Sequence, residues 1–483
     1  MRTLLLLAAL ALPMAAPALA QQTPVDTPTV SSGLIPTDGP ELLGLAGFAK
    51  VLCSAVFVSG RDPAEAARNS GYFFLPGAAE TVTDTVVDRE RKEVRLTWQG
   101  VLTRTAGYTG DQGCVIRAPG FERPFFQPSE VRSALPPAES MDWPMGDRVA
   151  DAPLPAGVDA AKLAAAVDAA FRDPEALTAG FVVVHGGRII AERYGAGAHR
   201  DMQLESWSMG KSIAATLVGR LIEMGKLELH QPAPVPEWRM PGDPRGAITV
   251  AHLLNMASGL HFIATQDPDY TPRLGYPDHM YIYSGAIDAA GHSITRPLQF
   301  EPGTVGRYRN SDPLTAAWLA QQAARAAGED PLTWPQRHLF DEVGIRRQVL
   351  ETDPYGNFLI SGYDYGTPRN WARLGLLYLN RGVWQGERLL PEAFVDFVRA
   401  PAPGWDEPRY GGFFWLNRTG AFSLPEDAYY MAGAGGQYTF VVPSLDLVVV
   451  RMGHWRGSAR GIRLMDEALG LLTDALAGSA LAR

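Results

Sequence analysis

A serine and a lysine stand three residues apart in Ser208-Met-Gly-Lys211, directly ahead of a long apolar stretch. In that stretch Ile213, Leu217 and Leu221, with Val218 and Ile222 beside them, recur at the spacing of one buried helical stripe. Gly225 reads as the stop. Residues three apart share a helix face, so the Lys211 amine can reach the Ser208 hydroxyl. A helix start also brings unpaired backbone N–H groups and the positive dipole end close to that serine. One turn of chain can therefore supply a nucleophile, a base and an oxyanion donor. Composition sharpens the signal: the chain has five lysines (Lys50, Lys92, Lys162, Lys211, Lys226) against 38 arginines. Arginine does not release its proton in a protein, whereas a desolvated lysine can serve as a base. The bland alternative is a helix-start serine beside a surface lysine, and the tetrapeptide alone does not choose.

The elements that must position this pair come after several segments of other character. Residues 1–20 read as a secretory signal, with Arg2, an apolar run Leu4–Leu12 and Ala18-Leu19-Ala20 as the cleavage site. That run is too short to span a bilayer, and no later stretch offers about 18 uninterrupted apolar residues. The expected product is a soluble chain, periplasmic or secreted. Residues 21–40, rich in Pro, Thr and Ser, read as a flexible leader. The remaining length exceeds what one core usually organises, so two domains are expected. The net charge of −9 comes without a basic patch, which makes nucleic acid and anionic membranes poor partners. Nine scattered histidines, no HExxH and no paired cysteine spacing give no reason to expect a metal or other cofactor. The oligomeric state is not legible.

Residues 41–123 read as a small α+β domain. Leu42–Val58 has a helical apolar pattern, and Thr81–Val87 and Val94–Leu102 are strand-like around the charged turn 88–93. Both cysteines, Cys53 and Cys114, fall here; in an oxidising compartment they most simply form a disulfide. Closing about 60 residues would be worth roughly 4 kcal/mol in the chain-entropy picture. Two buried free thiols are the alternative. Residues 124–157 are proline-rich and aperiodic, either a linker or extended chain wrapped over the next domain. Residues 158–483 read as the second domain. A helix over Asp159–Phe171 and a hairpin Phe181–Val184/Arg188–Tyr194 come before the serine-bearing helix. A late hairpin, Tyr438–Val442/Leu447–Met452, precedes a helix from about Gly461 to Ala477. Hairpins at both ends of a mostly helical middle predict one antiparallel sheet with flanking helices.

Four ordered motifs then resemble the serine β-lactamase and penicillin-binding-protein family, in particular its class C-type branch with 6-aminohexanoate-dimer hydrolase and family VIII esterases. They are Ser208-Met-Gly-Lys211; Thr249-Val-Ala-His-Leu-Leu-Asn-Met-Ala-Ser-Gly-Leu260; Pro302-Gly303 followed by Tyr308-Arg-Asn310; and Gly433-Ala434-Gly435-Gly436 at the late hairpin. The resemblance covers about residues 155–475 and implies an α+β, β-lactamase/transpeptidase-like fold behind the N-terminal domain. It implies Ser208 as nucleophile, Lys211 as base and Tyr308 as proton relay. It further implies an oxyanion hole from the Ser208 and Ala434 amides, flanked by Gly433 and Gly435, with Asn310 hydrogen-bonding Lys211 or the substrate. Tyr270 resembles a tyrosine that closes over substrate in the 6-aminohexanoate-dimer hydrolase branch, and Asp267, Asp269 and Asp278 could receive a cationic amine.

The third motif departs from the classical enzymes. It lacks their Lys-Thr-Gly or His-x-Gly cation, and no lysine follows Lys226. That disfavours substrates anchored by a carboxylate and leaves an amidase or esterase acting on a small molecule in front. D-aminopeptidase, DD-carboxypeptidase or weak β-lactamase activity is the runner-up, and a non-catalytic ligand-binding domain on the same scaffold is the third reading. No G-x-S-x-G elbow supports a Ser-His-Asp hydrolase.

Overall fold

The computed structural model describes residues 38–74, 82–195 and 197–479. The expected signal segment and nearly all of the leader lie outside them.

The chain begins with α1 (Pro40–Phe57) and α2 (Pro63–Asn69), then a four-stranded antiparallel sheet: β1 (Val82–Asp88), β2 (Glu93–Trp98), β3 (Leu102–Tyr108) and β4 (Cys114–Ile116). The strand expected over Val94–Leu102 is two strands. Gln99 and Gly100 both take positive φ, 51° and 71°, and the Val101 amide closes a turn on Trp98 O, so the chain reverses at that point. α1 packs on the face formed by Val94, Leu96 and Ala106, and a disulfide joins Cys53 to Cys114 within that core. Among the described residues α1 is the one helix long and apolar enough to cross a membrane, with 78% of that window buried inside the protein. Its apolarity serves packing, and Glu41, Lys50 and Ser54 interrupt the apolar run.

Residues 117–157 contain no α-helix or named strand, only a short 3₁₀ turn at Ala138–Ser140 and turns, and they contact distant parts of the molecule. The segment's own backbone groups are held by distant side chains and main chain. Arg373 donates to Pro144 O and Gly146 O at 2.7 and 2.6 Å, Arg369 to Asp147 O at 2.7 Å, and the Phe125 amide to Pro354 O at 2.7 Å.

Then come α3 (Ala160–Phe171), capped by Asp159, and the hairpin β5 (Thr178–His185)/β6 (Arg188–Tyr194), with both turn glycines at positive φ. Short β7 (Leu204–Glu205) leads into α4 (Gly210–Glu223). The middle is helical, with α5 (Val250–Leu254), α6 (Asp278–Ser284), α7 (Ala289–Ile294) and α8 (Ser311–Ala326). After β8 (Val349–Leu350) and β9 (Asp364–Gly366) come α9 (Pro368–Leu379), the small hairpin β10 (Val383–Trp384)/β11 (Glu387–Arg388) and α10 (Glu392–Val398). The chain ends with β12 (Trp415–Leu416), β13 (Tyr429–Gly433), β14 (Gln437–Val442), β15 (Leu447–Gly453) and α11 (Ser458–Leu476).

The expected single antiparallel sheet forms in the order β12-β13-β14-β15-β5-β6. It is covered on both faces, so its central strands read as continuous apolar runs. Val182, Val184, Val448 and Val450 face the core with α4 and α9, while Phe181, Val183, Phe440 and Val449 face α3 and α11. A second sheet, β7-β9-β8, lies just ahead of Ser208. The architecture is the mixed α+β, β-lactamase-like fold, with the helix-on-sheet unit ahead of it.

Candidate active site

Ser208 does not sit inside the helix expected at Ser208–Gly225. It lies in a 3₁₀ turn, Trp207–Met209, and α4 begins at Gly210. The tighter turn presents the hydroxyl at the helix mouth, where the first amides have no intrahelical partner. Gly210 is required there, since a Cβ would lie 2.2 Å from Asp364 Oδ1 and 2.3 Å from Ile360 O.

Lys211 is 1% exposed. Its Nζ lies 2.9 Å from Ser208 Oγ and donates to Ser361 O at 2.6 Å. Burial holds the amine well below the ordinary lysine range, with the Asp364 charge opposing that shift. A second lysine, Lys50, is equally buried but pairs directly with the Glu351 carboxylate. Lys211 has a hydroxyl and a carbonyl instead. A neutral amine donating to Ser361 O keeps its lone pair for the Ser208 proton, so the geometry can perform base chemistry. Asp364 is itself buried without a direct cation partner, and its pKa is pushed up to about 7.

Tyr308 stands across from the pair, with Lys211 Nζ 4.9 Å from its ring centroid. Burial raises the phenol's pKa, and a hydrogen bond with Ser208 opposes the rise. Trp415 and Tyr410 flank the ring at centroid distances of 5.2 and 6.0 Å. Together they form an aromatic wall that keeps the phenol neutral and fixed. His279 faces it at 6.2 Å, with its pKa lowered to about 3 by burial and then by Lys211 and Arg309. The second motif supports this loop, because Ser258 Oγ donates to Asp312 Oδ1 at 2.8 Å, just beyond Tyr308.

The third motif closes the other side. A Cβ on Gly433 would lie 2.1 Å from Ser206 O and 3.0 Å from Ser208 N, so β13 approaches the serine turn backbone to backbone. Ala434, half-buried, follows directly, and then Gly435 at φ +89°. An amide from this strand end can thus converge with that of Ser208 on one oxyanion. The cation of classical third motifs is not replaced by the arginines nearby. Arg451 is fully buried and gives its Nη1 to Gly435 O and Gly436 O, while Arg309 is taken up by Leu260 O, Asp267 and Gln299.

Asn310 is fully buried at the start of α8, and its Nδ2 donates to His279 O at 2.9 Å. Its buried Oδ1 has no hydrogen-bond partner among the described residues. Asp278 is engaged by His292 and Arg296, and Asp267 by Arg309; of the three aspartates Asp269 alone remains exposed. Tyr270 is half-buried in a turn closed on Asp267 O. Its loop is tied beside Tyr308 by Gln266 Nε2 on Tyr308 O at 2.6 Å. Ser361, Asp364 and His279 are not legible in the sequence, since none lies in a motif.

A buried lysine on a serine hydroxyl, walled by aromatic rings and closed by a sheet edge, defines on this fold the class of serine hydrolases that use a lysine. The chain belongs to the β-lactamase family, whose profile matches residues 163–472. It is 27% identical over 327 residues to the 6-aminohexanoate-dimer hydrolase of Paenarthrobacter ureafaciens, covering 60% of this chain and 78% of that one. In fold it resembles a penicillin-binding-protein homologue from Caulobacter crescentus, with a TM-score of 0.50, 19% identity and coverage of 66% of this chain and 100% of that one. The structure of SurE with D-Leu is alike to the same degree, with a TM-score of 0.50, 19% identity and coverage of 66% and 76%. The protein is thus a hydrolase of the β-lactamase and esterase family.

Proposed function

We propose that the chain is an exported serine hydrolase that cleaves amide or ester bonds of small substrates through an acyl-enzyme on Ser208. The observation that carries this reading is the 2.9 Å approach of a buried, carboxylate-free Lys211 amine to Ser208 Oγ. Lys211 takes the serine proton as Oγ attacks the carbonyl carbon, and the Ser208 and Ala434 amides hold the developing oxyanion. Tyr308 returns a proton to the leaving amine or alcohol, and water then hydrolyses the ester to Ser208 by the reverse relay. Gly433 and Gly435 let the strand come close, and Tyr270 lines the substrate side.

The missing third-motif cation favours substrates without an anchoring carboxylate at that place. Export rests on the signal-like residues 1–20 and on the Cys53–Cys114 disulfide, a bond kept in oxidising compartments. In this reading residues 41–123 and 158–483 are two domains joined by the wrapped segment 124–157.

The test is labelling with a fluorophosphonate probe, followed by turnover of p-nitrophenyl esters, linear amides and a chromogenic cephalosporin. The expected result is an adduct on the peptide containing Ser208, with ester or amide turnover exceeding that of the cephalosporin. An adduct elsewhere, or none, overturns the reading. The proton balance is tested separately. The Asp364 charge raises the Lys211 pKa, and the base works only when neutral, so activity falls as pH drops through that pKa. Asp364→Asn should move this acid limb of kcat/KM to lower pH, measured as a full pH–rate profile.

A further inference from the structure

The N-terminal helix-on-sheet unit carries no readable chemistry of its own, yet it reaches the back of the serine turn. Its short 3₁₀ turn, Gly71–Phe73, docks on α1 through two glycines. A Cβ on Gly71 would lie 2.0 Å from the Phe48 ring, and one on Gly47 2.5 Å from the Phe74 ring. Seated this way, Phe73 packs on Trp207 with ring centroids 4.4 Å apart. Trp207 immediately precedes Ser208. It is 3% exposed and holds φ +50°, a left-handed conformation that a bulky side chain keeps only where its surroundings over-determine it. Its indole Nε1 has no hydrogen-bond partner among the described residues, so ring packing is what holds it.

The same unit neutralises the sheet that leads into the turn. The outer strands β7 and β8 are each bordered by a buried glutamate, Glu205 and Glu351. Arg61 Nη1 lies 3.4 Å from Glu205, and Lys50 pairs with Glu351. Both cations come from the first 61 residues. Either carboxylate without its partner would be an uncompensated buried charge. The serine turn is therefore braced from one side by rings and from two strands by ion pairs.

We infer that the N-terminal unit is a built-in positioning device for the nucleophile, with Phe73 as the wedge that fixes Trp207 and hence the Ser208 turn. This rests on the reading of Ser208 as nucleophile. Displacement of a reacting group by about 1 Å costs up to about 10²-fold in rate, whereas the ring contacts of Phe73 are with Phe74, Trp207 and Trp455 and not with the proposed substrate-side Tyr270. Losing the wedge should thus lower kcat and leave KM nearly unchanged.

The experiment uses the full chain and compares Phe73→Ala, Phe73→Leu and Phe73→Tyr with Val94→Ala. Val94 lies in the apolar core of the same unit, in a cluster apart from that of Trp207. Phe73→Ala should lower both kcat and the second-order rate of fluorophosphonate labelling by roughly 10- to 100-fold, with KM within about threefold. Phe73→Tyr, which keeps the ring, should restore most of both. Val94→Ala should lower the melting temperature and leave kcat near that of the unaltered protein. If Phe73→Ala does not fold, Phe73→Leu carries the test through the same kcat-against-KM split. A Phe73 variant that labels at the unaltered rate, or that loses no more than Val94→Ala, overturns the inference while leaving Ser208 as nucleophile. Failure of the unaltered protein to label at Ser208 overturns both.

Discussion

Lys211→Arg keeps the positive charge and should nonetheless lower acylation of Ser208 by about 10³-fold, within the range a positioned general base contributes. The reason is the proton. Lys211 is buried with a hydroxyl and a carbonyl as its partners, so desolvation favours its neutral form. A guanidinium stays protonated in the same place and has no lone pair to offer. The measurement is the pre-steady-state burst with a p-nitrophenyl ester, alongside circular dichroism to confirm folding. Retention of most of the burst rate would rule out Lys211 as the base.

Gly433→Ala should be nearly as damaging although it adds a single methyl group. That methyl would stand 2.1 Å from Ser206 O and 3.0 Å from Ser208 N, distances that force β13 away from the serine turn. Because both proposed oxyanion donors depend on this approach, kcat should fall by about 10²- to 10³-fold, the cost typical of losing one such donor. The effect is specific if Gly470→Ala in α11, where a Cβ meets nothing closer than 3.5 Å, leaves kcat unchanged. A Gly433→Ala enzyme with normal kcat would show that the oxyanion is held elsewhere.

What can be read from the sequence divides along the range of the interactions. The Ser208/Lys211 spacing, the glycine turn of β5/β6 and the Asp159 cap are local, and local pattern suffices for them. Tyr308 and the third motif are reached through family resemblance, since nothing in Tyr308-Arg-Asn310 by itself points to a residue about a hundred positions upstream. Ser361, whose carbonyl receives the Lys211 amine, and Asp364, which sets its field, lie in a stretch without motif or periodicity. Ser361 acts through its main-chain carbonyl and Asp364 through a buried charge, and neither leaves a compositional trace. Asn310 shows another limit: its burial and the bond from its Nδ2 to His279 O arise only in the folded loop and leave no mark in the sequence. Scarcity of lysine singles out Lys50 together with Lys211, but only the folded neighbourhood separates them: one meets Glu351, the other an alcohol.

The strand that completes the site is made late. β13 enters the sheet next to β14, which needs β15, which in turn pairs with β5; thus Gly433 reaches Ser208 only after the last quarter of the chain exists. At ordinary synthesis speeds of about 5–20 residues per second this is a delay on the order of tens of seconds after Ser208 leaves the ribosome. Throughout that interval the Ser208 alcohol lacks the strand proposed to cradle its oxyanion, so the proposed chemistry waits on the last strands and, in an exported chain, on folding after translocation.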